Sequence, residues 1–351
     1  MTCKQKDKGC KRPHKSKKRR DKGAESHTEM RFRNLVTPFR PRMCYNASMY
    51  YYSLSDYVKT EYGEKLYKLS LSSGCTCPNR DGTLGVGGCT FCSAGGSGDF
   101  AGDGAVPLED QIRFAKEKVS GKSHSDRYIA YFQSYTGTYG DLGRLRDLYM
   151  EAVHREDVAV LSIATRPDCL GPEVLDLLAE LNRVKPLWVE LGLQTANEAV
   201  ADHVHRGYRN EVYERAVKDL NALGIKVITH IIIGLPGESL EDYKASVRFA
   251  CDCGTWGLKL QLLHVLEGTA LAEEYRSGGF ATLLMDEYIN IICELLPLIP
   301  PEVVIHRLTG DGPKKILISP LWSGNKRLVL NTLNRTLKER NIQQGSALQN
   351  A

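Results

Sequence analysis

Six short apolar segments alternate with amphipathic helices between residues 66 and 263, and that alternation restricts the fold more than any other feature. The segments are 66–71, 128–133, 158–164, 187–193, 226–233 and 258–263. The run 158–164 is almost continuously apolar, as expected of a strand covered on both faces of a parallel sheet. Between the segments, apolar residues recur at helical spacing: Leu108, Ile112, Ala115 and Val119; Leu142, Leu145, Leu148, Tyr149 and Ala152; Val174, Leu175, Leu178 and Leu181. Pro107 and Pro172 stand where a proline opens a first turn. A helix over 211–223 stops at Gly224, where a left-handed cap is expected. Ser239 to Asp242 has the form of a capping box. Strand–helix repeats of this kind predict an α/β fold, a partial (β/α)6 barrel of parallel strands.

In such a barrel the chemistry gathers at the C-terminal ends of the strands. The first strand runs into a loop with Cys77, Cys89 and Cys92, spaced by glycines at 82, 85, 87 and 88. A closed zinc site takes four protein ligands, and an ordinary [4Fe–4S] cluster takes four cysteines. Three thiolates on one loop suit a cluster with one open iron, free to bind a substrate or cofactor. The other polar segments end the later strands: Gln133 and Tyr135, Thr165 and Arg166, Gln194, Gly234 to Gly237, and His264. All fall on the same rim.

Seven segments in order carry a family likeness: Cys77 to Cys92, Tyr131 to Tyr135, Ser162 to Asp168, Val189 to Gln194, His230 to Glu238, Leu263 to Thr269 and Leu308 to Pro313. Over about three-quarters of its length the chain resembles the radical S-adenosylmethionine (SAM) superfamily. Within it, the chain is similar to the bacterial YhcC/YtqA-type proteins, relatives of the radical SAM half of the Elongator catalytic subunit. The resemblance implies a [4Fe–4S] cluster on Cys77, Cys89 and Cys92, with SAM chelating the open iron. It also implies reductive cleavage of SAM to a 5′-deoxyadenosyl radical, and an electron donor such as flavodoxin or ferredoxin.

Candidate SAM contacts follow from rim position. Gln133 or Tyr135 is expected to contact the amino-acid end, and Thr165 and Arg166 the carboxylate or ribose. Glu190 reaches toward a ribose hydroxyl or the barrel centre, Gln194 ends the fourth strand, and Gly234 and Gly237 permit close approach to adenine. His203, His205 and Arg206 form a basic cluster that either faces substrate or lies in solvent. Cys75, two residues before Cys77, is the competing thiol. The likeness to the Elongator branch implies that the radical alters the side chain of a wobble uridine in tRNA. The residues after 263 are too few for the acetyltransferase domain of that branch. A radical reaction on a small metabolite or a protein is the alternative. A third reading is a non-catalytic, cluster- or zinc-bearing RNA-binding protein.

Charge divides the chain. Residues 1–22 hold eleven Lys and Arg against Asp7 and Asp21, a net charge of +9 that leaves the remainder acidic. Residues 1–45 thus read as a basic, disordered tail able to meet RNA phosphates, or as a solvated extension. Residues 46–300 form the core and 301–351 an extension, with a further strand at 303–308 and a closing helix carrying Leu328, Leu330, Leu333 and Leu337. Eleven cysteines without framework spacing fit a reducing compartment, the cytoplasm. No apolar run is long enough to span a membrane.

Overall fold

The computed structural model describes residues 50–96, 98–121, 125–310 and 312–348. The basic N-terminal segment and its domain assignment lie outside these residues. Chain order begins with α1 (Leu54–Tyr62), β1 (Tyr67–Leu71), α2 (Leu108–Val119), β2 (Tyr128–Phe132), α3 (Leu142–His154), β3 (Val158–Thr165) and α4 (Pro172–Val184). Next come β4 (Leu187–Gln194), α5 (Glu198–His203), α6 (Asn210–Ala222), β5 (Lys226–Ile233), α7 (Leu240–Asp252) and β6 (Gly257–Leu262). The chain then forms β7 (Val265–Leu266), α8 (Ala270–Arg276), α9 (Met285–Leu295), β8 (Val304–Arg307), β9 (Leu317–Ser319) and α10 (Lys326–Glu339).

Seven strands form one parallel sheet in the order β1-β2-β3-β4-β5-β6-β8. This is the partial barrel expected from the alternation, extended by one strand: 303–308 joins it as β8, in parallel with β6. Local signals act as read. Ser239 caps α7 with a reciprocal box to Asp242, and Gly224 takes a φ of 68° just after α6. The main core lies between sheet and helices, where Leu178, Leu181, Val217, Val247 and Ile292 are fully buried. Truncating one such leucine to alanine costs about 2–5 kcal/mol.

A second apolar cluster closes the N-terminal end of the barrel. There α1 places Tyr57 against Trp188 and Trp256, edge-on at 6.1 and 4.7 Å. The chain just before α1 also bonds to the outer edge of β8, with the Ile305 amide donating to the Tyr52 carbonyl at 2.8 Å. One barrel end is thus sealed, and polar side chains converge at the other.

The closing helix differs from its expected face. In α10 the buried residues are Val329, Leu333 and Leu337, whereas Leu328 is 47% exposed. Helical spacing of three to four residues from Leu333 and Leu337 leads back to Val329, so the β-branched residue, not Leu328 or Leu330, completes the stripe.

Candidate active site

The cysteine loop leaves β1 and folds on itself. Amides of Arg80 and Cys92 donate to the carbonyls of Cys77 and Cys89 at 2.8 and 2.9 Å. Gly88 has a φ of 91°, and a Cβ there would stand 2.8 Å from the Arg80 Nε, so a side chain would meet both strain and the loop's own clamp. That clamp is the Arg80 guanidinium, which donates to the carbonyls of Cys92 and Ser93. Asn79 donates to the His205 carbonyl at 2.6 Å and to the Cys89 sulfur at 3.5 Å. The loop is therefore tied both to itself and to the segment after β4.

Cys77, Cys89 and Cys92 line one pocket together with Gln133, Tyr135, Thr165, Arg166, Glu190 and Gln194. Gly234 and Gly237 do not line it. Space beside Gly234 is filled by Leu283, whose Cδ1 would lie 3.2 Å from an added Cβ, and Gly237 has no neighbour within 4 Å of one. Cys75 is buried elsewhere, with its sulfur 3.6 Å from the Arg144 guanidinium.

Several rim residues are already committed to protein partners. The Tyr135 hydroxyl donates to the Ala94 carbonyl at 2.5 Å, and its ring fills the space where Gly96 would carry a Cβ. Thr165 shares a hydroxyl contact with Thr138 at 2.5 Å. Arg166 forks onto Asp168 at 2.7 and 2.9 Å, donates to the Arg206 carbonyl at 3.0 Å and stacks 4.9 Å over the Tyr208 ring. Arg206 is almost wholly buried, binding the carbonyls of Leu193 and Thr195 at 3.1 and 2.7 Å. It fastens the turn after β4 rather than facing outward with His203, which meets Glu274 at 3.1 Å. Gln194 is different: its Oε1 is buried on the pocket side of β4 without a hydrogen-bond partner. A buried acceptor of this kind calls for a donor from outside the chain.

Deeper in the barrel, Glu190 is a hub. Its Oε1 accepts from Lys68 at 2.5 Å and Ser162 at 3.0 Å; its Oε2 accepts from His230 at 2.7 Å and from Lys259. Burial alone would raise this carboxyl, but Lys259, Lys68 and His230 outweigh it and hold it well below the usual range. Burial, then Lys259, pushes His230 down to about 4 despite the Glu190 contact. The imidazole is therefore neutral near pH 7. Tyr131, His230, Lys259, Gln261 and Arg307 also line the pocket, beyond the candidates read from sequence. Their signal is alternation: Lys259 and Gln261 occupy every second position of an otherwise apolar strand, so both face inward.

The donor set fits an iron–sulfur cluster. Among the described residues no three His, Cys, Asp or Glu are gathered closely enough to hold a single ion. In a cube, each thiolate binds a different iron, so the sulfurs stand further apart than the ligands of one ion. Cys89 lies beside Arg166, yet burial and the neighbouring Cys92 push its thiol up to about 12. A cationic cluster supplies the charge that would bring out the thiolate.

Comparison with known proteins points the same way. The Radical SAM superfamily profile matches residues 74–250, and the Radical_SAM C-terminal domain profile matches 255–339. The chain is 42% identical to the uncharacterized protein YtqA of Bacillus subtilis over 304 residues, covering 87% of this chain and 94% of YtqA. It is 36% identical to YhcC of Escherichia coli, covering 82% and 92%. A tRNA uridine(34) acetyltransferase of Dehalococcoides mccartyi is 30% identical over 177 residues, 50% of this chain and 38% of that protein. Among solved structures, archaeal Elp3 from Methanocaldococcus infernus superposes with a TM-score of 0.54 at 22% identity, covering 67% of this chain and 59% of that one. This likeness supports the fold.

Proposed function

Because the chain belongs to the radical SAM superfamily, we propose that it reductively cleaves SAM to alter the side chain of a wobble uridine in tRNA. Its cofactors are a [4Fe–4S] cluster and SAM. In this reading Cys77, Cys89 and Cys92 hold the cluster. When bound, cluster and SAM together supply a one-electron cleavage that yields a 5′-deoxyadenosyl radical.

The chain's own residues provide position and enclosure. Arg80 and Asn79 fix the loop that presents the three thiolates. Gln194 offers its free Oε1 as an acceptor, and Gln133 stands nearby on the same rim. Arg166, already forked onto Asp168, stabilises the wall rather than supplying a free cation. Glu190 is saturated by four donors and organises the barrel interior. The sealed end at Tyr57 and Trp188 makes the rim the route of entry, which protects a radical from solvent.

The observation that carries the radical chemistry is that all three cysteines of the loop line one pocket with Gln133, Arg166, Glu190 and Gln194. Support for the substrate is the likeness, over half of this chain, to a tRNA uridine(34) acetyltransferase. An electron donor such as flavodoxin or ferredoxin completes the scheme. The test is twofold. Reduced, reconstituted protein should release 5′-deoxyadenosine from SAM. Nucleosides of tRNA from cells with and without the gene, compared by mass spectrometry, should differ at a modified uridine. Absence of SAM cleavage would remove the radical reading, and unchanged nucleosides would remove the tRNA reading alone.

A further inference from the structure

The inner end of the pocket gathers several basic side chains around one carboxylate. His230, Lys259 and Arg307 lie in one row across neighbouring strands: His230 is the register partner of Lys259, and Lys259 of Arg307. All three line the pocket, as does Tyr131 from β2. Lys259 donates to the Tyr131 hydroxyl at 3.2 Å, and its ammonium lies 4.7 Å from that ring's centroid. Lys68 stands 4.4 Å from the centroid of the same Tyr131 ring.

One carboxylate serves all of them. Glu190 has about four lone-pair sites; Lys68, Ser162, His230 and Lys259 take them, and the Tyr131 hydroxyl is directed at the same carboxylate. Nothing remains for Arg307. Its guanidinium is half-buried and makes no hydrogen bond or ion pair with the described residues. A guanidinium unpaired among the described residues, beside Lys259 and partly out of water, is unfavourable on both desolvation and repulsion. A planar fork with free donors, next to an ammonium, is the donor set that grips an oxyanion.

We propose that Arg307 and Lys259, beside the Tyr131 ring, form an oxyanion subsite that takes the carboxylate or phosphate group of the substrate. The subsite rests on the reading of this pocket as the seat of the reaction and adds the substrate's chemical class. A substrate carrying its acidic group there is held by residues of β6 and β8, while the cysteines lie on the loop that follows β1. The part to be altered is thereby left facing the rim. Arg307 sets orientation and selects acids over neutral analogues, because a neutral group leaves the guanidinium unpaired.

The test uses full-length, cluster-loaded protein under anaerobic conditions at fixed ionic strength. Chloride is replaced stepwise by acetate or by inorganic phosphate while the unfolding midpoint is followed, since a ligand of the folded state raises it. Wild type should respond to at least one of the two, and the one that acts tells carboxylate from phosphate. Arg307→Leu should bind that anion about tenfold more weakly or worse, and Arg307→Lys should recover part of the effect. Equilibrium dialysis with SAM should give the same affinity in all three proteins. Arg307→Leu breaks no ion pair among the described residues, so it should fold. An identical anion response in wild type and Arg307→Leu overturns the proposal, as does no response in wild type. A loss of SAM affinity in Arg307→Leu also overturns it, by making Arg307 a cofactor ligand. Protein that binds the anion through Arg307 but releases no 5′-deoxyadenosine sinks the radical reading and leaves the subsite standing.

Discussion

The Asn79 side-chain amide lies 3.5 Å from the Cys89 sulfur while its nitrogen also donates to the His205 carbonyl at 2.6 Å. One residue thus couples a thiolate of the cysteine loop to the turn after β4. A hydrogen bond to sulfur stabilises the more negative, reduced state of a cluster. Asn79→Ala should therefore assemble a cluster whose potential is shifted to more negative values. Redox titration followed by electron paramagnetic resonance reads the shift, and an unchanged or raised potential would show that the amide does not act on the cluster.

Cluster assembly should follow the geometry of the thiols. Cys77, Cys89 and Cys92 share the pocket, whereas Cys75 is packed against Arg144 outside its lining. Anaerobically reconstituted wild type should hold about four irons and four sulfides per chain. Alanine at 77, 89 or 92 should abolish this, and Cys75→Ala should retain it. Iron and sulfide analysis of the purified proteins decides, and a full complement in Cys89→Ala would remove the ligand assignment.

The Glu190 hub predicts an acid-sensitive fold. His230 is held neutral, with its pKa down at about 4 against about 6.5 when unfolded. Between these values the unfolded chain binds the extra proton, so stability is full above pH 6.5 and falls as pH drops toward 4. The loss is on the order of 3 kcal/mol. Denaturant titrations of the cluster-free protein at pH 7 and pH 5 should show about 2 kcal/mol of it, and His230→Gln should flatten the slope in that window. Glu190→Gln leaves Lys68 and Lys259 without their counter-charge and should cost about 3–5 kcal/mol. A Glu190→Gln midpoint equal to wild type would mean that the hub does not hold the barrel together.

Much of this was legible in the chain. Strands buried on both faces read directly as apolar runs, and capping residues marked helix ends, so the alternation and its rim were accessible from local patterns. The cysteine loop was equally plain, because its spacing is local. What local patterns did not carry was partnership across strands. Arg206 looked like part of a basic patch with His203, yet it turns inward to the carbonyls of Leu193 and Thr195. Arg307 ended a short strand with nothing to mark it, and only the register with Lys259 reveals its position. Likewise Leu328 matched Leu333 in hydrophobicity, but the buried face of α10 carries Val329 in its place.

The basic N-terminal segment offers the last test, and it bears on the tRNA reading alone. Residues 1–22 carry a net charge of +9. Deleting 1–45 removes no residue of the parallel sheet or of the cysteine loop, so folding and cluster content should persist. Each phosphate neutralised by a lysine or arginine releases counterions, which makes affinity fall steeply with salt. The truncated protein should bind tRNA more weakly, and with a shallower dependence on salt, than the full chain. Its choice among tRNAs should stay the same, since phosphate contacts position a nucleic acid without reading its sequence. Affinity measured across a salt series for both proteins separates the cases. Equal slopes would mean that the segment does not touch RNA, and any recognition would then have to come from the rim around the pocket.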